Sequence, residues 1–252
     1  MSAPRPAKAD RPRRGSSKVA KPHLLESAPR PAKADRPPRG SSKVAKPHLL
    51  EGARREPRFA PELLLLAQGR AGDDTAAGDG KIGLRAAIFD VDGVLTDGRL
   101  YIGETGEVFK AFHVLDGHGL KLLGQAGIAP IVITGRDSAA VRRRMADLGL
   151  ADAHFGISDK LAVAERVLAE RGLAWGQVAV IGDDWPDLPL LARAGFACAP
   201  ANAHADALAL AHHVTTARGG EGAAREFCDL LLMANGHYAA LLQAQQGTLD
   251  GR

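Results

Sequence analysis

The sequence predicts an α/β fold: a doubly wound, parallel sheet with helices on both faces. Three observations predict it. Short apolar runs of strand length recur (Leu84–Phe89, Ala129–Thr134, Val178–Gly182), as strands buried on both faces read. Helical stretches alternate with those runs, the order that builds parallel sheets from crossover units. Acidic or hydroxyl residues stand at the ends of the runs, at Asp90, Thr134 and Asp183, where open α/β sheets bind ligands.

Residues 2–26 and 27–51 are two copies of one segment that differ only at Arg13 and Pro38. Each copy offers Val, Leu, Leu and several Ala, with prolines that break any helix, so stacking repeats are not expected. Low hydrophobicity and high charge predict a disordered basic tail over residues 1–56. A short helix with Pro61 in its first turn and a Gly-rich linker are expected over 57–81, and the folded domain over 82–252.

Within that domain the first strand, ending at Phe89, delivers Asp90 and Asp92 and stops at Gly93. Arg99–Ile102 and Glu107–Phe112 flank G-E-T-G as a β-hairpin. Asp116–Gly127 reads as a helix closed by glycine, Ala129–Thr134 as a buried strand, and Ser138–Leu148 as a helix capped by Ser138. A short strand at Ala153–Gly156 precedes a helix over Ser158–Arg171. Val178–Gly182 is the next strand, leading into D-D-W-P-D-L and the helix Leu188–Ala194. Phe196–Cys198, a helix at Ala205–Ala211, a strand at His213–Thr215 and a helical region from Gly222 complete the chain.

Charge and composition exclude several classes. Residues 2–51 hold 13 basic and 4 acidic side chains, a net +9, which leaves −5 for the rest of a chain whose total is +4. An acidic folded part argues against a nucleic-acid-binding domain. Two cysteines, Cys198 and Cys228, make neither a disulfide framework nor a zinc site. No apolar run approaches the ~20 residues that span a bilayer and no signal peptide is visible, so a cytoplasmic protein is expected.

The chemistry-bearing residues are Asp90 and Asp92, Thr134, Lys160 at a helix start, and Asp183, Asp184 and Asp187. Two acids in a lone D-x-D are ordinarily a solvated turn. Here successive strand ends would bring them into one crevice. Several carboxylates without nitrogen or sulfur ligands select a hard cation such as Mg²⁺, and a lysine and a hydroxyl aimed at the same place suit a phosphoryl group.

In order and spacing, D-V-D-G-V-L-T-D-G, the strand ending in Thr134 before Gly135-Arg136, the lone Lys160 and G-D-D-W-P-D resemble the four motifs of the haloacid dehalogenase-like superfamily over residues 82–235. That resemblance implies a Rossmann-like domain. Asp90 would be the nucleophile, Asp92 the general acid and base, and Thr134 and Lys160 the phosphoryl ligands. Mg²⁺ would be held by Asp90, the backbone carbonyl of Asp92 and Asp183. Too few residues separate the motifs for an inserted cap domain, so the chain resembles the capless subclass. Y-I-G-E-T-G-E-V-F-K-A-F-H-V-L-D-G-H-G-L-K-L-L, I-T-G-R and G-G-E-G-A-A-R-E-F-C-D-L-L-L are similar to the 3-deoxy-D-manno-octulosonate 8-phosphate (KDO 8-phosphate) phosphatase family. By position, His113, Val114, Leu115, Asp116, Gly117, Lys121, Arg136 and Arg144 would line the substrate pocket with Asp92 and Lys160. Leu115 and Lys121 depart from the family, which often carries Arg at both positions. The resemblance also implies a homotetramer in which residues 219–225 of a neighbour close the site, and hydrolysis of KDO 8-phosphate toward lipopolysaccharide. The alternatives are a phosphatase for a sialic-acid-type sugar phosphate and a non-catalytic regulatory module.

Overall fold

The computed structural model describes residues 83–247. The expected basic tail, the 57–70 helix and the linker lie outside the described residues. Six parallel strands form the main sheet: β1 (Ala86–Phe89), β4 (Ala129–Ile133), β5 (Ala153–His154), β6 (Val178–Ile181), β7 (Phe196–Ala199) and β8 (His213–Val214), in the order β5-β4-β1-β6-β7-β8. The strands β2 (Tyr101–Gly103) and β3 (Gly106–Phe109) form a separate antiparallel hairpin. The helices are α1 (Val114–Gln125), α2 (Ala139–Leu148), α3 (Lys160–Glu170), α4 (Leu188–Leu191), α5 (Ala205–Leu210), α6 (Ala223–Ala234) and α7 (Tyr238–Gly247).

The pleat explains why β1 has no polar residue. Ala87 and Phe89 enter one core layer with α1, α2 and α6, whereas Ala86 and Ile88 enter the other with α3, α4 and α5. Successive side chains of a strand point to opposite faces, so a central strand covered on both faces must be apolar throughout. β6 divides the same way, with Ala179 and Ile181 on the first face and Val178 and Val180 on the second. The Phe227 ring, on α6, sits edge-on against Phe89 at 5.4 Å and stacks on Phe196 at 6.3 Å. Aromatic contacts of this kind add about 0.5–1.5 kcal/mol to area burial.

The expected elements recur with shifted ends. α1 starts at Val114, two residues before Asp116, because His113 holds the extended backbone that precedes a helix. Ser138 caps α2 as expected, its Oγ accepting from the Val141 N–H at 3.5 Å. α3 starts at Lys160, where the side chain of Asp159 accepts from the Ala162 N–H at 3.0 Å. The C-terminal helical region is two helices, parted at Asn235–Gly236, where Gly236 takes a φ of 75°. Among the described residues, no helix is long and apolar enough to cross a membrane.

β1 places the site. It lies between β4 and β6, and the chain leaves it for opposite sides, so the carboxyl ends of these three strands frame the switch-point crevice of a doubly wound sheet. Asp90, Thr134 and Gly182–Asp183 stand at those ends.

Candidate active site

Asp90 follows the last residue of β1 and is held there by its N–H, which donates to the Ile181 carbonyl at 3.2 Å. Its carboxylate is buried, 7% exposed, and accepts from Lys160 Nζ at 2.7 Å. The same ammonium donates to Asp187 Oδ1 at 2.7 Å. Lys160 reaches this position because it opens α3, at the carboxyl edge of the sheet. The other oxygen of Asp187 accepts the N–H groups of Asp183 and Asp184 at 3.1 and 3.4 Å, fixing the loop after β6.

Asp183 completes the cluster: one carboxylate oxygen from each of Asp90, Asp183 and Asp187 lies within 4.8 Å of the others. Three carboxylates face one ammonium, an excess of two negative charges. Burial, then the Asp187 charge, pushes the Asp90 carboxyl up to about 7 against the opposing pull of Lys160. Burial, then the charge of Asp90, pushes Asp183 to about 8. For Lys160 burial works downward, but Asp90 and Asp187 outweigh it and raise the ammonium. Asp183 Oδ1 is buried without a hydrogen-bond partner among the described residues. Oxygen-only donors, an unpartnered buried oxygen and a double negative excess together suit a hard divalent cation. Glycine makes room for the group. At Gly93, whose φ is 96°, a Cβ would stand 2.0 Å from Asp183 Oδ2.

Asp92 projects beside this cluster, and its Oδ1 accepts from Lys110 Nζ. The Nε of Arg136 stands 4.0 Å from Asp92 Oδ2. Thr134 is buried at the end of β4, and its hydroxyl oxygen accepts from the Arg136 N–H at 3.4 Å. Asp90, Asp92, Thr134, Arg136, Lys160 and Asp183 are therefore gathered around the three strand ends.

The other expected pocket residues divide. His113, Asp116, Gly117 and Arg144 line a small recess between the start of α1 and α2. There the Arg144 guanidinium lies 5.9 Å from the Phe112 ring centre. Asp116 also serves the fold, because its Oδ1 accepts the Arg225 N–H at 2.8 Å and so places a carboxylate at the N-terminus of α6. Val114 and Leu115 are exposed on the first turn of α1. Lys121 is not brought to the crevice of its own chain. Two turns into α1, it lines a groove with Ala129 and Pro130, at the amino end of β4.

Gly219 and Gly220 pack on the loop of the same chain that follows Asp92. The Gly219 N–H donates to Asn202 Oδ1 at 2.8 Å and the Gly220 N–H to the Val94 carbonyl at 3.0 Å. A Cβ at Gly219 would fall 1.7 Å from the Gly93 carbonyl oxygen, so only glycine allows this approach. Trp185 is 63% exposed, its indole N–H bonded to Asp206 at 2.7 Å. Both cysteines are free and buried. Sequence reasoning missed Lys110, Glu107 and Asn202. The first two were marked only by flanking the apolar pair Val108–Phe109.

Residues 155–227 match the haloacid dehalogenase-like hydrolase family model. The 3-deoxy-D-manno-octulosonate 8-phosphate phosphatase of Yersinia pestis is 44% identical over 151 residues, 60% of this chain and 81% of the relative. The chain belongs to this phosphatase family, within the haloacid dehalogenase-like hydrolases. The Moraxella catarrhalis family member, solved with magnesium, phosphate and KDO, superposes with a TM-score of 0.65 at 35% identity, covering 73% of this chain and 97% of that one. The cobalt-bound Haemophilus influenzae phosphatase gives a TM-score of 0.62 at 41% identity over 64% of this chain and 95% of that one. Family membership thus rests on most of each relative's length and on a segment that carries Lys160, Asp183 and Asp187.

Proposed function

We propose that the chain is a Mg²⁺-dependent phosphatase that hydrolyses KDO 8-phosphate to KDO and inorganic phosphate, a step of lipopolysaccharide synthesis. The observation that carries this reading is the buried Asp90–Lys160–Asp187 cluster with Asp183 beside it, at the switch point of a fold shared with KDO 8-phosphate phosphatases.

In this reading Asp90 attacks phosphorus. The bond from phosphorus to the sugar oxygen breaks, and an aspartyl phosphate forms. Asp92 gives its proton to the leaving sugar oxygen, then takes one from the water that attacks the aspartyl phosphate, releasing phosphate and restoring Asp90. Thr134 and Lys160 hold the phosphoryl oxygens, and Arg136 extends the positive rim toward the substrate. Asp90, Asp183 and the backbone carbonyl of Asp92 would hold Mg²⁺, which supplies positive charge against the phosphoryl oxygens when bound. Asp187 keeps Lys160 and the 183–184 loop in place.

The chain has no inserted cap, so we further propose that a homotetramer encloses the site. Leu100, Ile102, Val108 and Phe109 on the hairpin, with Val114 and Leu115, are 46–77% exposed, an apolar surface of the kind that marks a protein contact. Within residues 219–225, Gly219 and Gly220 are committed to loops of their own chain. The exposed Glu221, with the exposed Arg218 just before the segment, then offers side chains that can face a neighbour's site. Two reduced thiols fit a cytoplasmic enzyme.

Phosphate release from a panel of sugar phosphates tests the substrate. KDO 8-phosphate should be preferred over a sialic-acid-type 9-phosphate and hexose phosphates, and release should stop with a chelator. Preference for the nine-carbon ester would keep the chemistry and replace the substrate.

A further inference from the structure

Lys110 leaves the end of β3, yet its side chain is only 1% exposed. Burying an ammonium is costly unless it is paired and hydrogen-bonded. Lys110 is paired twice, with Asp92 Oδ1 and with Glu107 Oε2 at 3.2 Å. The other oxygen of Glu107 accepts from the Ser138 hydroxyl, and Ser138 is the N-cap of α2. A continuous line of polar contacts therefore runs from the N-terminus of α2, through the hairpin, to the acid two residues after Asp90.

The consequence falls on Asp92. Its Oδ1 is occupied by Lys110, while its Oδ2 is buried and has no hydrogen-bond partner among the described residues. The Nε of Arg136 stands 4.0 Å from Oδ2, too far for a hydrogen bond. The two oxygens are thus distinguished: one is anchored to the hairpin and the other is left for a ligand.

We infer that Lys110 is a positioning residue: it pins Asp92 through Oδ1 so that Oδ2 alone faces the substrate's leaving oxygen. Glu107 and Ser138 hold Lys110 in turn. The inference rests on the phosphatase reading and goes beyond it by making the hairpin part of the catalytic machinery. In the step concerned, the phosphorus–oxygen bond to the sugar breaks, its electron pair goes to the sugar oxygen, and that oxygen takes the proton carried on Asp92 Oδ2. Misplacing Oδ2 should harm this transfer and leave phosphoryl binding intact.

The leaving group separates that role from a merely structural one. A sugar alkoxide needs the proton, whereas 4-nitrophenolate leaves as a stable anion, so general-acid catalysis matters far less for 4-nitrophenyl phosphate. Lys110→Met should slow first-turnover release of the sugar about tenfold or more, while the first-turnover burst of 4-nitrophenolate, which precedes attack of water on the aspartyl phosphate, changes by less than about threefold. Lys110→Arg should recover most of the loss. Glu107→Gln should show the same substrate pattern more weakly, and it decides the matter if Lys110→Met no longer gives the thermal shift with Mg²⁺ that marks a folded site. Equal losses in the two first-turnover rates, or no loss in either, would overturn the inference. Wild-type protein inert toward both esters would instead remove the phosphatase reading on which it rests.

Discussion

Asp90 and Asp183 show how burial and charge set the site's dependence on pH. Both carboxyls are raised from 3.8 in the open chain, to about 7 and about 8. Between those limits the folded protein binds more protons than the unfolded chain, so these groups make stability fall as pH rises. A divalent cation binds the deprotonated carboxylates and therefore stabilises the protein more at higher pH. Without metal, the melting temperature should fall between about pH 5.5 and 8.5; Mg²⁺ should raise it strongly at the upper limit and little at the lower. Differential scanning fluorimetry with EDTA or Mg²⁺ checks this, and a Mg²⁺ shift independent of pH would contradict it. At this scale the sequence was legible where one residue carries its own signal. Asp90, Asp183 and Lys160 stand at strand or helix ends, and the fold only had to bring those ends together. The role of Asp187 was not legible, because its partner Lys160 lies 27 residues away and only the fold sets that lysine between it and Asp90.

Among the elements, the hairpin departs most from an isolated fold. β2 and β3 pair only with each other and stand outside the six-stranded sheet, and a lone two-stranded hairpin is at best marginally stable in water. The Tyr101–Phe109 ring stack, with centres 4.3 Å apart, holds its two strands together, and the Glu107–Ser138 and Lys110–Asp92 contacts tie it to the rest of the domain. Its exposed apolar side chains call for another surface. Light scattering of the full chain should give a tetramer, and Ile102→Asp with Val108→Asp should lower the mass toward dimer or monomer. An unchanged mass would remove the hairpin from the contact. Apolar alternation around a Gly-bearing turn disclosed the hairpin in advance. The inward turn of Lys110 was not legible, since a buried lysine is recognised by its partners, which lie 3 and 18 residues away. The same limit applies to Asp116, whose helix-capping contact spans 109 residues.

For the whole molecule, the strand order β5-β4-β1-β6-β7-β8 turns motifs scattered along the chain from Asp90 to Asp187 into one crevice. Alternation of apolar runs with helices made that architecture legible, because a parallel sheet needs helices to return the chain. Placement along helices was less legible: motif matching put Lys121 in the pocket, whereas the length of α1 carries it to the other end of the sheet. This crevice should therefore hydrolyse KDO 8-phosphate through Asp90 with a divalent cation. The most direct test is phosphate release from KDO 8-phosphate by wild type and Asp90→Asn, each with Mg²⁺ and with chelator. Turnover is expected only for wild type with Mg²⁺, with a loss of at least about a thousandfold in the variant. Turnover by Asp90→Asn at a comparable rate, or by wild type in chelator, would contradict it.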